Sequence, residues 1–211
     1  AVVKANAYGH GMHEVAEALE SVGVDALATA DLDEALELRA AGIKSRLICW
    51  LVLPTDDFQL AKELNIEIGV SNLDVLRSLD ADHKIHLIID SGLGREGFIK
   101  SDWQEAFELA AKLNVVGIFS HLANTSLSED LKQRTKFDEA IALAKSMGIQ
   151  GFQTHFSASA AALAYTDFDY DMARVGLLLY GQNPFEDRDL TEINLRPAMR
   201  VVARSAGFKR V

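Results

Sequence analysis

Leu47-Ile48-Cys49-Trp50-Leu51-Val52 is apolar at every one of its positions. A strand with one wet face alternates apolar and polar residues. A short run without alternation reads as a strand buried on both faces, as in a parallel sheet covered by helices. Working outward, the same texture recurs at residues 1–6, 25–30, 66–70, 84–90, 115–121, 151–157 and 171–175, which with residues 46–53 makes eight strand-like runs. The segments between them carry helical spacing. Met12, Val15, Ala16 and Leu19 fall at i, i+3, i+4 and i+7, as do Trp103, Ala106, Phe107 and Ala110, and again Phe137, Ala140, Ile141 and Ala144. Such faces pack on a sheet and leave Glu and Lys outside. Asp31 and Ser128 are predicted N-caps, and Gly23, Gly42 and Gly148 stand where helices should end.

Eight apolar strands with seven intervening helical segments predict an α/β protein, a (β/α)₈ TIM-type barrel over residues 1–188 in which the eighth strand pairs with the first. An open doubly wound sheet is the competing fold, but no Gly-x-Gly-x-x-Gly follows the first strand. From Asp189 the α/β rhythm stops. Residues 199–203 look like a strand, so 189–211 is expected to be a linker and the first strand of a C-terminal β domain. The chain opens in mid-strand without Met, and reads as a piece of a longer protein.

Composition narrows the function. The 211 residues carry 21 Lys+Arg against 31 Asp+Glu, a net charge of −10, and one cysteine. The acidic balance and the lack of a basic stripe argue against nucleic-acid binding. Cys49 alone makes neither a disulfide framework nor a cysteine-rich metal site, and no metal is expected; a reducing, cytoplasmic setting fits. No apolar run reaches the roughly 18 residues of a membrane span, and no signal peptide is visible.

In a barrel the chemistry sits at the C-terminal ends of the strands. Those ends read Lys4-Ala5-Asn6-Ala7-Tyr8-Gly9-His10-Gly11, then Asp90-Ser91-Gly92-Leu93-Gly94-Arg95, Ser120-His121, His155-Phe156-Ser157-Ala158-Ser159, and Arg174-Val175-Gly176-Leu177. Lys4 is a charge in an apolar strand, costly unless it is exposed, paired or covalently used. Ser159 and Gly176 with Leu177 follow the last two strands, where barrels often bind phosphate. Taken singly, each signal has an ordinary reading that outweighs the functional one: an exposed lysine, a packing glycine, a capping serine. Taken together, an internal lysine and a phosphate cradle on opposite sides of one mouth suit pyridoxal 5'-phosphate. Trp50, Trp103 and Cys49 read as packing, His83 and His86 as surface, and His155 as structural.

Residues 1–11 resemble the cofactor-attachment motif of bacterial alanine racemases position for position. Asp90–Arg95, Ser120-His121, residues 155–161 and residues 171–181 resemble that family's other segments, in the same order. The resemblance implies a pyridoxal-phosphate-dependent amino-acid racemase supplying D-alanine for the cell wall. It implies Lys4 as the covalent anchor and the proton acceptor on the D-amino-acid face. Tyr8, Ser159, Gly176 and Leu177 would bind phosphate, Arg174 would face the pyridine nitrogen with His121 beside it, and Arg95 would meet the substrate carboxylate. It further implies a homodimeric parent whose missing C-terminal domain lends the second catalytic tyrosine, so that this chain alone would be nearly inactive. Two positions depart from the pattern: Ile88, where the family often has a lysine seven residues before the arginine, and Ala158, where it has an asparagine. A cofactor-handling barrel without racemase activity, and a serine or broad-specificity racemase, are the alternatives.

Overall fold

The computed structural model describes residues 1–168 and 170–210; Val211, the last residue of the expected C-terminal segment, lies outside them. Among the described residues seven strands, β1 (Leu27–Thr29), β2 (Leu47–Cys49), β3 (Ile66–Val70), β4 (Lys84–Ile88), β5 (Asn114–Phe119), β6 (Gln153–Ala158) and β7 (Met172–Arg174), pair in sequence order, all parallel. Helices α2 (Met12–Ser21), α3 (Leu32–Ala40), α4 (Phe58–Glu63), α5 (Leu73–Ser78), α6 (Trp103–Ala110), α7 (Leu127–Ser146) and α8 (Ser159–Ala164) alternate with them. The result is a nearly closed barrel of the expected kind.

The eighth position of the wall belongs to residues 1–3. Val2 bridges Ala28 in parallel, and its N–H donates to the Val175 carbonyl at 2.9 Å. The pairing is shorter than the expected strand over residues 1–6, because the backbone leaves the sheet at Lys4. In α1 (Lys4–Gly9), residues Ala5, Asn6, Ala7 and Tyr8 all have φ between 52° and 54°, a left-handed turn. Each non-glycine residue there costs about 1–2 kcal/mol. The turn is tied down by Ala7 N–H on the Val3 carbonyl, Gly11 N–H on the Asn6 carbonyl, and Met12 N–H on Asn6 Oδ1 at 2.7 Å.

The helix faces behave as their spacing predicts. Trp103, Ala106, Phe107, Ala110, Phe137, Ala140 and Ala144 are all buried between helices and sheet. Asp31 caps α3 through Glu34 N–H at 3.0 Å. The cap of α7 is Ser126 rather than Ser128; Ser126-Leu127-Ser128-Glu129 is the Ser-x-x-Glu pattern of a capping box, and Ser126 Oγ accepts from Glu129 N–H. Gly23, Gly42 and Gly148 take φ of 77°, 92° and 91° just after their helices.

Neighbours in parallel register point to the same side of the sheet. Ala28, Ile48 and Glu67 share one layer, and Gly69, His86 and Gly117 the next. Val2, Ala26, Ala28 and Ile48 form a small apolar cluster distinct from the large one under the helices. His83 and His86 are buried, not surface residues. His83 Nδ1 lies 3.2 Å from the Asp80 N–H, from which it can accept, and Nε2 lies 3.1 Å from the Phe58 carbonyl, to which it can donate, so both ring nitrogens have partners. Residues 199–203 take no strand partner among the described residues, and no described helix is long and apolar enough to cross a membrane.

Candidate active site

A cavity of about 350 Å³ opens at the C-terminal ends of the strands. Lys4, Tyr8, Arg95, His121, Ser159, Arg174, Gly176 and Leu177 all line it, so every residue expected at the site is brought together. Trp50, Glu96, Phe119, Asn124 and Ala158 line it too. Trp50 is therefore a mouth residue rather than core packing. Its place one residue beyond the end of β2 was the available signal.

Lys4 reaches the cavity because the left-handed turn begins there. Its Nζ lies 5.9 Å from the Tyr8 ring centre and 6.0 Å from that of Trp50. Tyr8 packs on Tyr180 with ring centres 5.0 Å apart, and Tyr180 donates its hydroxyl to the Val2 carbonyl at 2.9 Å. Burial raises the Tyr8 phenol above its ordinary value, so it stays a hydrogen-bond donor.

On the other side, Ser159 Oγ accepts from Gly176 N–H at 3.1 Å and from Leu178 N–H at 3.4 Å. A Cβ on Gly176 would overlap the Tyr8 hydroxyl, so glycine alone lets the backbone and the phenol approach this closely. With Leu177 beginning a short 3₁₀ turn (Leu177–Tyr180), this corner gathers a hydroxyl, a phenol and backbone N–H groups.

Arg95 sits on a loop folded back on β4. Asp90 Oδ1 accepts from Gly92 N–H at 2.9 Å and Gly94 N–H at 3.0 Å, and Phe98 N–H returns to the Ile88 carbonyl at 2.8 Å. Ile88 is buried and offers Arg95 no polar partner; Glu96 does so instead, accepting from Arg95 Nη2 at 2.6 Å and from Nε.

Arg174 is the most heavily bonded residue of the site. Nη1 donates to His155 Nδ1 and to the His155 carbonyl, both at 3.0 Å. Nη2 donates to the Ser120 carbonyl at 2.6 Å and to His121 Nδ1 at 3.3 Å. Burial lowers its guanidinium to about 9, which leaves it cationic at neutral pH. Burial first, then Arg174, Arg95 and Lys4, hold His121 down at about 4. His121 is thus a neutral ring accepting at Nδ1. His155 is a buried strand residue in this network, and behind it stand His86 and Glu67, which the sequence reading missed. Glu67 carried the same signal as Lys4, a charge inside an apolar strand.

Among the described residues, the cavity lining holds three cations, Lys4, Arg95 and Arg174, against the one carboxylate of Glu96. A positive cavity with a primary amine, a glycine-opened corner of N–H and O–H donors, and an arginine fixed by five acceptors, the Phe156 carbonyl at 3.4 Å being the fifth, fits a flat anionic aldehyde cofactor.

Residues 1–184 match the family model for the alanine racemase N-terminal domain. The chain belongs to that family. The alanine racemases of Corynebacterium glutamicum strain R and of Thermobifida fusca are each 36% identical over the whole chain, which covers 60% of their length. The crystal structure of alanine racemase from D-cycloserine-producing Streptomyces lavendulae superposes with a TM-score of 0.89 at 34% identity, covering 93% of this chain and 56% of that one. The chain therefore spans about 60% of the length of these alanine racemase relatives, and the family match falls on the barrel that carries the cavity.

Proposed function

We propose that the cavity binds pyridoxal 5'-phosphate and that the parent protein is an alanine racemase, a homodimer of the cytoplasm that interconverts L- and D-alanine for the cell wall. The observation that carries this reading is the presence, in one cavity, of the Lys4 amine and the donor corner of Tyr8, Ser159, Gly176 and Leu177. Pyridoxal phosphate, when bound, supplies an electron sink that acidifies the substrate's α-C–H. The chain's own residues do the rest. Lys4 would hold the cofactor through its aldehyde carbon, and its free amine would accept the α-proton from one face. Tyr8, Ser159 and the backbone N–H groups hold the phosphate. Arg174 has donors alone, so it presents an N–H to the ring nitrogen without delivering a proton, which restrains the sink. Arg95, steadied by Glu96, meets the substrate carboxylate. Ala158 stands where the resemblance has an asparagine, so serine belongs in the assay with alanine.

The test is direct. The chain mixed with pyridoxal phosphate should give a lysine adduct that borohydride fixes, and mass spectrometry of the digest should place it on Lys4. Lys4→Ala should abolish it; an adduct that persists on another lysine overturns the assignment. Racemisation of alanine by the full-length parent checks the activity.

A further inference from the structure

Arg174 is braced from behind by a file of polar side chains inside the barrel. Its Nη1 donates to His155 Nδ1 at 3.0 Å. His155 Nε2 lies 2.9 Å from His86 Nδ1, and His86 Nε2 lies 2.7 Å from Glu67 Oε2. Glu67 also accepts from Arg46, Nε at 2.8 Å and Nη2 at 2.7 Å. His86 and His155 are fully buried, and Glu67 is 5% exposed. Space is kept for the file: a Cβ on Gly117 would overlap the His86 ring.

A guanidinium only donates and a carboxylate only accepts. With a donor at one end and an acceptor at the other, one proton arrangement satisfies every link. Both rings are neutral, each bare at Nδ1 and protonated at Nε2. A further proton on either ring sets N–H against N–H in a buried contact.

We propose that Glu67 is a positioning residue for Arg174, acting through His86 and His155 to keep a lone pair on His155 Nδ1 aimed at the guanidinium. Remove the carboxylate and His86 has two poor choices. Keeping its proton at Nε2 leaves that N–H orphaned. Moving it to Nδ1 reverses His155 and turns an N–H toward Arg174. Each leaves one buried group unsatisfied, at comparable cost, so both become populated. The hydrogen-bond content stands on the geometry alone; its bearing on the cofactor rests on the reading of the cavity given above.

The experiment uses the ¹⁵N-labelled 211-residue chain and long-range ¹H–¹⁵N correlation, which reports the tautomer of each ring, alongside titration with pyridoxal phosphate. In the wild type both rings should be neutral Nε2–H tautomers from about pH 6 to 8. Glu67→Gln keeps an acceptor oxygen and should keep both tautomers, with cofactor affinity within about twofold. Glu67→Leu should show tautomer exchange at His86 and His155 and about tenfold weaker cofactor binding, the low end of what partners one shell removed produce. Should Glu67→Leu not fold, the double variant Arg46→Met with Glu67→Leu, which removes the unpaired cation, takes its place under the same expectation. A wild-type His155 that is Nδ1–H or doubly protonated overturns the proposal. So does a folded Leu variant with unchanged tautomers, whether its affinity holds or falls. Failure of the wild type to bind the cofactor would remove the reading of the cavity and leave the tautomer result to decide.

Discussion

Gly176 is the residue on which the donor corner turns. Because an added methyl would overlap the Tyr8 hydroxyl, Gly176→Ala should displace the phenol and weaken pyridoxal-phosphate binding by about tenfold, roughly 1.4 kcal/mol. Titration of the cofactor's absorbance checks this, with little change expected in the urea midpoint. Acid should act on the histidines. His86 and His155 are lowered by burial first, and His121 is lowered by burial to about 4, each from an ordinary value of 6.5. The unfolded chain therefore binds more protons below pH 6.5, and stability is lost as pH falls through that window. Burial alone would raise Glu67, but hydrogen bonds from His86 and Arg46 outweigh it and hold the carboxylate at about 2. Its stabilising share is present above its unfolded value of 4.5 and is lost between there and 2. Urea midpoints should be flat above pH 7, then fall from about pH 6.5, with His121→Phe flattening the upper part of the fall. Lys4 was legible only beside the phosphate-cradle signal and the resemblance of residues 1–11; as a lone charge in an apolar run its ordinary reading outweighed the functional one. Glu67 carried the same mark but lay at no strand end, and its partners His86 and His155 are distant in sequence. Which charges meet across a barrel is set by register, which no local window displays.

At the scale of elements, the middle of each strand was readable and the ends were not. Residues 1–6 look like one strand because Lys4 through Asn6 have no breaker. What bends them lies outside the run: the bonds from Gly11 and Met12 back to Asn6, and the Ala5 N–H on Glu34 Oε1 at 2.5 Å, hold a left-handed turn no local propensity would choose. Ala5→Gly removes one unfavourable Cβ from that turn. After the entropy that glycine adds to the unfolded chain, it should raise stability by about 0.5 kcal/mol, while loosening the anchor of Lys4 so that adduct formation slows. Thermal unfolding and the adduct rate check the two halves. The α7 cap illustrates the opposite case, where Ser126 and Glu129 spell the motif in sequence. Ser126→Ala should cost about 1 kcal/mol in urea denaturation, and Ser128→Ala much less.

For the whole molecule, the apolar runs and their spacing made a barrel legible, since parallel strands covered on both sides leave few other architectures. Legibility ended at residues 199–203, whose strand-like composition finds no pairing among the described residues; a strand needs a neighbour, and we propose that the C-terminal β domain of the parent supplies it. The cavity also sets the balance of chemistry. Tyr8 is the tyrosine of its lining, and Tyr165 and Tyr170 are tied to Asp130 and Asp138 instead. On the proposed role of Lys4 as the proton acceptor on the D-amino-acid face, this chain loaded with pyridoxal phosphate should exchange the α-proton of D-alanine in deuterium oxide faster than that of L-alanine. Equal rates would place a second base within the barrel.

The closure at Val2 also has a history in time. The bond from Val2 to Val175 joins residues that a ribosome makes 173 positions apart. At about 5–20 residues per second, that interval is roughly 10–35 s. Throughout it one edge of the nascent sheet stands open, with Val2 and Val3 beside it. A chaperone that shields an apolar sheet edge would find its substrate in that window and lose it once Val175 emerges.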